Sequence, residues 1–386
     1  MTLEDRGAQG KTRAAEPRRV LHLIKGLALG GAEQIVSSLA RAGDRGSFDY
    51  QVAYVVRGLD DLVGPLEEAG VTVHCLGARS HYDLRWAARL RALLVEGRFD
   101  VLHTHLPYTT GIGRLVVRSL PAGSRPRLVH TQHNIWQRTS TVARALGRLT
   151  WRLDDADVAV SEAARAALPA ALRRRTEVVV HGIWTDHISS APGLRDKVRA
   201  EFDVPDDAVL VVTVANLRQE KGYEVLLAAA RELVDDRLPV RFVAVGHGPL
   251  EESVRASHGR LGLGEDFKLV GLRRDAVRIL AGSDLFVLAS HHEGFPLAVM
   301  EALAVGVPVV ATAVGDVPAA VREGIDGLVV PPGDPAALAA ALRTLIVDPK
   351  RRAAMTVAAR EGAARFDIRS ASRRLEAIYR DLTRHG

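Results

Sequence analysis

Apolar residues along this chain come in short β-branched runs separated by longer amphipathic stretches, and the alternation continues nearly end to end. Seven runs in the first half read as strands: VLHLI, YQVAYVV, VTVHCL, DVLHTH, RLVHTQ, DVAVS and EVVVHG. Six follow in the second: VLVVTVA, VRFVAVG, FKLVG, LFVLAS, VPVVAT and GLVVPP. Runs of this buried type belong to sheets covered on both faces. The stretches between them, such as GYEVLLAAARELVDD and DPAALAAALRTLI, are long enough for helices. Strand and helix in repeated alternation predict parallel sheets with helices on both sides.

The pattern restarts near Ser189–Leu194, a small stretch with proline and glycine that reads as a linker. A chain of 386 residues is also too long for one ordinary α/β core. The expected organisation is a disordered lead-in over 1–17, one domain over 18–188 and a second over 195–367. A helix over 368–386 is expected to pack back toward the first domain. The fold class is therefore α/β, with two Rossmann-like, doubly wound parallel-sheet domains facing across a cleft. Doubly wound sheets bind ligands at the carboxyl ends of their strands, so the cleft is the expected site.

Composition adds limits. Hydrophobic residues make up 47% and charged residues 25%, an ordinary globular balance. The longest apolar stretch, Ala302 to Val314, is too short to span a membrane and is broken by Gly306 and Pro308. The first 17 residues lack the apolar core of a secretory signal. Cys75 is the one cysteine, which excludes an intrachain disulfide and a cysteine metal cluster and fits a reducing compartment. The expected location is cytoplasmic, at or near the inner face of the plasma membrane.

Charge is uneven. Residues 1–190 hold 26 Lys/Arg against 19 Asp/Glu, whereas 191–386 hold 26 against 27, so the whole excess lies in the first half. That suggests an anionic partner there. Within 136–152, Arg144, Arg148 and Arg152 repeat every four residues beside Trp136 and Trp151, the pattern of a basic amphipathic helix lying on anionic lipid. No aromatic-lined basic groove motif is visible, so nucleic acid is not an expected partner.

The strongest chemical signal is HHEGFPLAVMEALAVGVPVVAT, residues 291–312, after the strand LFVLAS. Pro296 suits a first helical position. The helix start, with Gly294, Phe295 and Leu297 around it, then offers free N–H groups and a positive dipole end to an anion. Glu293 lies at the mouth and Glu301 about five residues into the helix. Two carboxylates so spaced can accept hydrogen bonds from hydroxyls at both ends of an extended ligand. Glu301, in a nearly all-apolar helix, needs a partner.

These residues resemble the retaining glycosyltransferases of the large GT-B-fold family, glycosyltransferase family 4 or group 1. The likeness covers nearly the whole chain from about Arg19. It implies a metal-independent hexosyltransferase that uses a nucleotide diphosphate sugar as substrate, with no cofactor, and a glycan, lipid-linked or small-molecule acceptor, as in polysaccharide biosynthesis. By the resemblance, Glu293 contacts the donor sugar hydroxyls and Glu301 the ribose.

A second signal is VANLRQEKG, residues 214–222. Arg218 and Lys221 are expected to share one diphosphate, with Arg as a fork of donors and Lys as a point charge. The family places its arginine where this chain has Asn216, which leaves Arg218 reaching in from a shifted position or Asn216 orienting the donor. A third is Gly30–Gly31, ahead of a helix, where a phosphate can approach backbone. In the resembling family this loop faces the donor phosphates. The fourth is histidine: His103 and His105 close one strand, and His130 and His133 another. By resemblance, His133 lies near the donor sugar. The His-x-His pair could also bind metal, since alternate strand residues share a face, but a metal hydrolase would need further ligands. Asp155–Asp157 reads as a helix-end feature. Gly246, Leu272 and Arg273 fall where the family holds the nucleotide. Two other readings stay open: a sugar-nucleotide epimerase or hydrolase on the same fold, and a silent sugar-nucleotide-binding protein.

Overall fold

The thirteen strand candidates all form strands, in two parallel sheets. The computed structural model describes residues 16–80, 83–133, 141–184, 193–293 and 296–384. The first sheet contains β1 (Arg18–Ile24), β2 (Phe48–Val56), β3 (Thr72–Ala78), β4 (Val101–His105), β5 (Arg127–Gln132), β6 (Ala156–Ala159) and β7 (Thr176–Val178), in the order β3-β2-β1-β4-β5-β6-β7. The second contains β8 (Val209–Val214), β9 (Val240–Val245), β10 (Phe267–Gly271), β11 (Leu285–Leu288), β12 (Val309–Thr312) and β13 (Gly327–Val330), in the order β10-β9-β8-β11-β12-β13. Continuous apolar strands bury on both faces: all six residues of β9 are apolar or arginine stem, and Phe242, Val243, Ala244 and Val245 are at most 2% exposed.

In both sheets the order reverses beside the first strand, between β1 and β4 and between β8 and β11. Connections leaving these neighbours go to opposite faces and open a crevice, which is the switch point where such sheets bind ligands. The chemical landmarks of the sequence sit at the carboxyl ends of these four strands: HTH closes β4, and Gly30–Gly31, Asn216–Lys221 and Glu293 follow β1, β8 and β11.

The chain crosses between the sheets twice, and the crossings touch. After β7, Ile183 pairs in parallel with Asp367: Ile183 N donates to the Phe366 carbonyl (2.8 Å) and Ile368 N to the Ile183 carbonyl (3.0 Å). The terminal helix Ile368–Thr383 then packs on the Gly31–Ala42 helix of the first sheet, burying Leu375 and Tyr379. Residues 185–192, which hold most of the expected linker, lie outside the described residues, as do most of 1–17; Leu194 already begins a helix, Leu194–Glu201.

Three local expectations change. Pro296 caps the Leu297–Ala304 helix and is not its first residue. Asp157 lies inside β6, not at a helix end, and pairs with Arg175 at 2.7 Å, while Asp155 accepts from Leu128 N. The basic segment is helical only over Thr141–Thr150 of the described residues; 136–140 lie outside them. Arg152 follows in a 3-10 turn, and Trp151 folds inward against Leu168 and Leu172. Among the described residues no helix is long and apolar enough to cross a membrane.

Candidate active site

The two switch points face each other across a cleft of about 440 Å³. From the second sheet it is lined by Asn216, Lys221, Gly246, Leu272 and Arg273, and by Glu293, Pro296, Leu297 and Glu301. From the first come Leu29, Gly31, Gln34 and Asp61. Gly31 approaches Leu297 closely enough that a Cβ there would stand 3.6 Å from its Cδ1. Gly30 lies one step behind, capping the helix beneath the carboxylate of Glu33, whose own pKa burial raises. Gly294 and Phe295 lie outside the described residues.

Glu293 is held from three sides. Lys221 Nζ donates to its Oε1 at 2.5 Å, and Ser290 Oγ donates to the same oxygen at 2.6 Å. Ser290 is itself fixed, because its carbonyl accepts from Thr312 Oγ1 at 2.6 Å. Behind Glu293, Gly315 adopts φ +53°, and a Cβ there would fall 2.2 Å from the Glu293 carbonyl oxygen, so only glycine fits. Sequence reasoning missed Ser290, Thr312 and Gly315. A serine closing a strand three residues before the acid was the available signal for the first; the other two come from a neighbouring strand end and carried none.

Lys221 reaches the cleft through a 3-10 turn over Gln219–Lys221. Leu217 anchors that loop, buried, with its N–H on the His247 carbonyl (3.0 Å). The anchored loop turns Asn216 and Lys221 toward the cleft. Arg218, expected to share the diphosphate, is exposed and outside the lining; it caps the turn instead. Arg273 is engaged elsewhere too: its Nε donates to Asp275 (2.8 Å) and its Nη1 pairs with Glu201 (2.8 Å). That pairing leaves Leu272 and the Arg273 backbone at the cleft.

Glu301 is the fifth residue of the Leu297–Ala304 helix, whose other members are apolar. Its carboxyl has no partner among the described residues. Burial raises its pKa to about 7. It also borders a second chamber of about 320 Å³, with Ser38, Arg41 and Trp184, so it stands at the junction of the two spaces.

The histidines gather at the β1/β4 switch point. His22 and His103 are register partners on β1 and β4, and His105 and His133 follow on the same face. All are buried, and burial holds their pKa values well below the usual histidine range. His103 is satisfied by Tyr379 Oη (2.6 Å, Nδ1) and Thr131 Oγ1 (2.7 Å, Nε2). His130 faces the other side of the sheet, near Thr110 Oγ1 (3.1 Å). His22, His103 and His105 each offer a nitrogen within 4.8 Å of the others. Here His22 Nδ1 and His105 Nε2 meet at 2.9 Å, and the two His103 nitrogens face the Tyr379 and Thr131 hydroxyls.

Residues 195–362 match the family described as "Glycosyl transferases group 1", and residues 29–187 match "Glycosyltransferase Family 4". A relative from Geodermatophilus obscurus named D-inositol 3-phosphate glycosyltransferase is 31% identical over 423 residues, covering 96% of this chain and 91% of its own length. A protein of the same name with the suffix 1, from Catenulispora acidiphila, is 31% identical over 78% of this chain and 76% of its own. Among solved structures, Anabaena HepE in complex with UDP and glucose superposes with a TM-score of 0.82 at 23% identity, covering 94% of this chain and 99% of that one. With both sheets matched and a relative of this identity aligned nearly end to end, the chain belongs to the group 1 glycosyl transferases, glycosyltransferase family 4.

Proposed function

We propose that the protein moves a hexosyl group from a nucleotide diphosphate sugar to an acceptor hydroxyl, with retention at the anomeric carbon and without a metal ion. The observation that carries this reading is Glu301: a carboxylate in an apolar helix, without a partner among the described residues, lining the cleft. A ribose diol supplies the two donors it lacks. Glu293, held by Ser290, takes the sugar hydroxyls at the other end. Between them the diphosphate meets Lys221, Asn216 and the backbone near Gly31 and Pro296. The base edge lies along Leu272 and Arg273, beside Gly246, and His133 lies near the donor sugar.

Donor entry exchanges partners. Lys221 leaves Glu293 for the diphosphate, and a sugar hydroxyl replaces it on the acid. The acceptor hydroxyl attacks the anomeric carbon from the side on which the diphosphate departs. The bond from that carbon to the diphosphate oxygen breaks, and the acceptor's proton passes to the departing oxygen. Stabilising that charge is the main demand, and a fixed cation in a shielded cleft meets it.

For the acceptor, the basic first half favours an anionic molecule, and the names of the relatives point to a polyol phosphate as the first to try. Attachment to anionic membrane through the Thr141–Thr150 helix would bring lipid-linked acceptors within reach. The test is a thermal-shift panel of UDP-, GDP- and ADP-sugars, followed by transfer to inositol phosphate with product NMR, with and without EDTA. Stabilisation by a donor and a product of unchanged anomeric configuration in EDTA are expected. An inverted centre or loss of turnover in EDTA would overturn the corresponding part, and conversion of donor alone would identify an epimerase or hydrolase.

A further inference from the structure

The turn that follows β12 serves both Glu293 and the contact between the lobes. Thr312, the last residue of β12, donates from Oγ1 to the Ser290 carbonyl (2.6 Å), and Ser290 Oγ in turn holds Glu293 (2.6 Å). Three residues on, Gly315 lies so close to the Glu293 backbone that a Cβ would stand 2.2 Å from its carbonyl oxygen. The next residue, Asp316, belongs to the lobe of the second sheet, yet its Oδ1 accepts from Ala163 N of the other lobe at 3.2 Å. Val314 and Val317 on either side are buried, so the turn is anchored at both ends.

The direction in which Asp316 points is not the one its position favours. It is the N-cap of the short helix Val317–Ala320, where an aspartate ordinarily accepts from an N–H two or three residues further on. Here the side chain makes no such bond, and Ala319 N and Ala320 N donate to the Asp316 carbonyl instead. The carboxylate is turned across to the other lobe. Its partner there is prepared: Ala163 lies in the first turn of the helix Glu162–Ala166, and Ser161 Oγ accepts from Ala164 N (3.0 Å), which leaves the Ala163 N–H to Asp316. The contact is also easily undone. Burial raises the Asp316 pKa and the neighbouring Glu162 carboxylate pushes it the same way, so the bond forms against like charge.

We propose that Asp316 is a positioning residue for transfer: by accepting from Ala163 N it ties residues 312–317 to the opposite lobe, and Thr312 and Gly315 pass that position on to Glu293. Glu293 is then set against the donor sugar while the lobes are together and released when they part. Leu272 and Glu301, at the nucleotide end of the cleft, lie on other elements, so donor affinity does not depend on the tie. The inference rests on the reading of Glu293 as the acid that meets the sugar, but the hydrogen bond itself is a property of the unliganded protein.

The test works on full-length protein from both sides of the contact. Asp316→Ala should lower kcat about tenfold with the donor KM unchanged. Asp316→Asn keeps an oxygen that accepts the same N–H and should recover kcat. Ala163→Pro removes the N–H at the second position of its helix, the position Pro318 holds in the helix Val317–Ala320, and should lower kcat as Asp316→Ala does. The double variant should lose no more than either single one. Additive losses, an Asp316→Ala enzyme with wild-type kcat, or a loss of melting temperature and donor affinity in place of kcat would each overturn the proposal. Amide hydrogen exchange at Ala163 in unliganded protein reads the contact whatever the substrate: Asp316→Ala should speed it and Asp316→Asn restore it, and exchange that Asp316→Ala leaves unmoved would also overturn the tie. If the tie is present by this measure but no sugar nucleotide binds, it is the functional reading of the cleft that fails.

Discussion

At the scale of the residue, Glu301 is the informative side chain. Its helix neighbours Val299, Met300, Ala302 and Leu303 are all buried, so the acid is placed where a carboxylate is costly unless something binds it. Its pKa rises from 4.5 to about 7 for that reason. The sign follows: below pH 4.5 folded and unfolded states are both protonated, and between 4.5 and about 7 the unfolded state ionises first, so the group disfavours the fold increasingly as pH rises. Glu301→Gln should therefore raise the melting temperature at pH 8, with the gain fading toward pH 4.5, while weakening donor binding. The wild type should bind donor less tightly as pH falls below about 7 and release protons on binding near neutrality; calorimetry in two buffers of different ionisation enthalpy reads this directly. Lys221 makes a separate prediction. It pairs with Glu293 at 2.5 Å before the donor arrives, so Lys221→Ala leaves that acid to Ser290 alone and removes the cation from the diphosphate. Loss of about 3 kcal/mol of transition-state stabilisation is expected, seen in kcat more than in donor KM.

At the scale of the element, the terminal helix Ile368–Thr383 belongs by contact to the first sheet. Glu376 Oε1 accepts from Tyr50 Oη (3.0 Å) and from Asp44 N (2.7 Å), and Tyr379 Oη pairs with His103 Nδ1 (2.6 Å). Tyr379→Phe keeps the packing and strands a buried imidazole nitrogen, so urea unfolding should show a loss of about 1–3 kcal/mol. The Thr141–Thr150 helix shows the opposite situation. It buries Ala143, Gly147 and Thr150 and leaves Val142 73% and Leu149 82% exposed near Arg148. Full-length protein should sediment with anionic vesicles at low salt and be released at high salt, and Leu149→Glu should abolish the association. Such elements show what the sequence makes legible. Buried parallel strands announce themselves by unbroken apolar runs, and Glu293, Glu301 and Lys221 by charge set among them. The turns of Trp151 and Arg218 were not legible, because nothing in local periodicity tells which way a side chain points at a helix end or a loop; Leu168, Leu172 and the His247 carbonyl set it from a distance. The meeting of His22 with His105 was equally hidden, since it joins β1 to β4 across 83 residues through strand pairing.

At the scale of the molecule, the two sheets are joined where the outgoing and returning strands of chain meet. Ile183 and Asp367 form a two-bond parallel bridge, and the glycine before Ile183 permits it: a Cβ on Gly182 would fall 2.2 Å from the Phe366 carbonyl oxygen and 2.7 Å from Ile368 N. Among the described residues the lobes also meet through Leu297, which packs on the core of the first lobe beside Gly31, through Asp61 facing Arg274 at 3.9 Å, and through Ala163 N donating to Asp316 at 3.2 Å. An exposed pair at 3.9 Å contributes little, so relative movement of the lobes is opposed mainly at the crossing. The same crossing sets the start of the terminal helix, because Ile368 N is bonded to the Ile183 carbonyl. Gly182→Val should therefore act at two places at once. The added side chain pushes Phe366 and Ile368 away, which loosens Tyr379 from His103 and changes the distance between Gly31 and Leu297 across the cleft. Destabilisation of about 3 kcal/mol or more is expected in urea, as for other overpacked sites, together with weaker donor binding. Val180→Ala, at a half-exposed position two residues earlier, should leave both unchanged. If Gly182→Val melted like the wild type and bound donor equally well, the crossing would not be what fixes the two lobes in register.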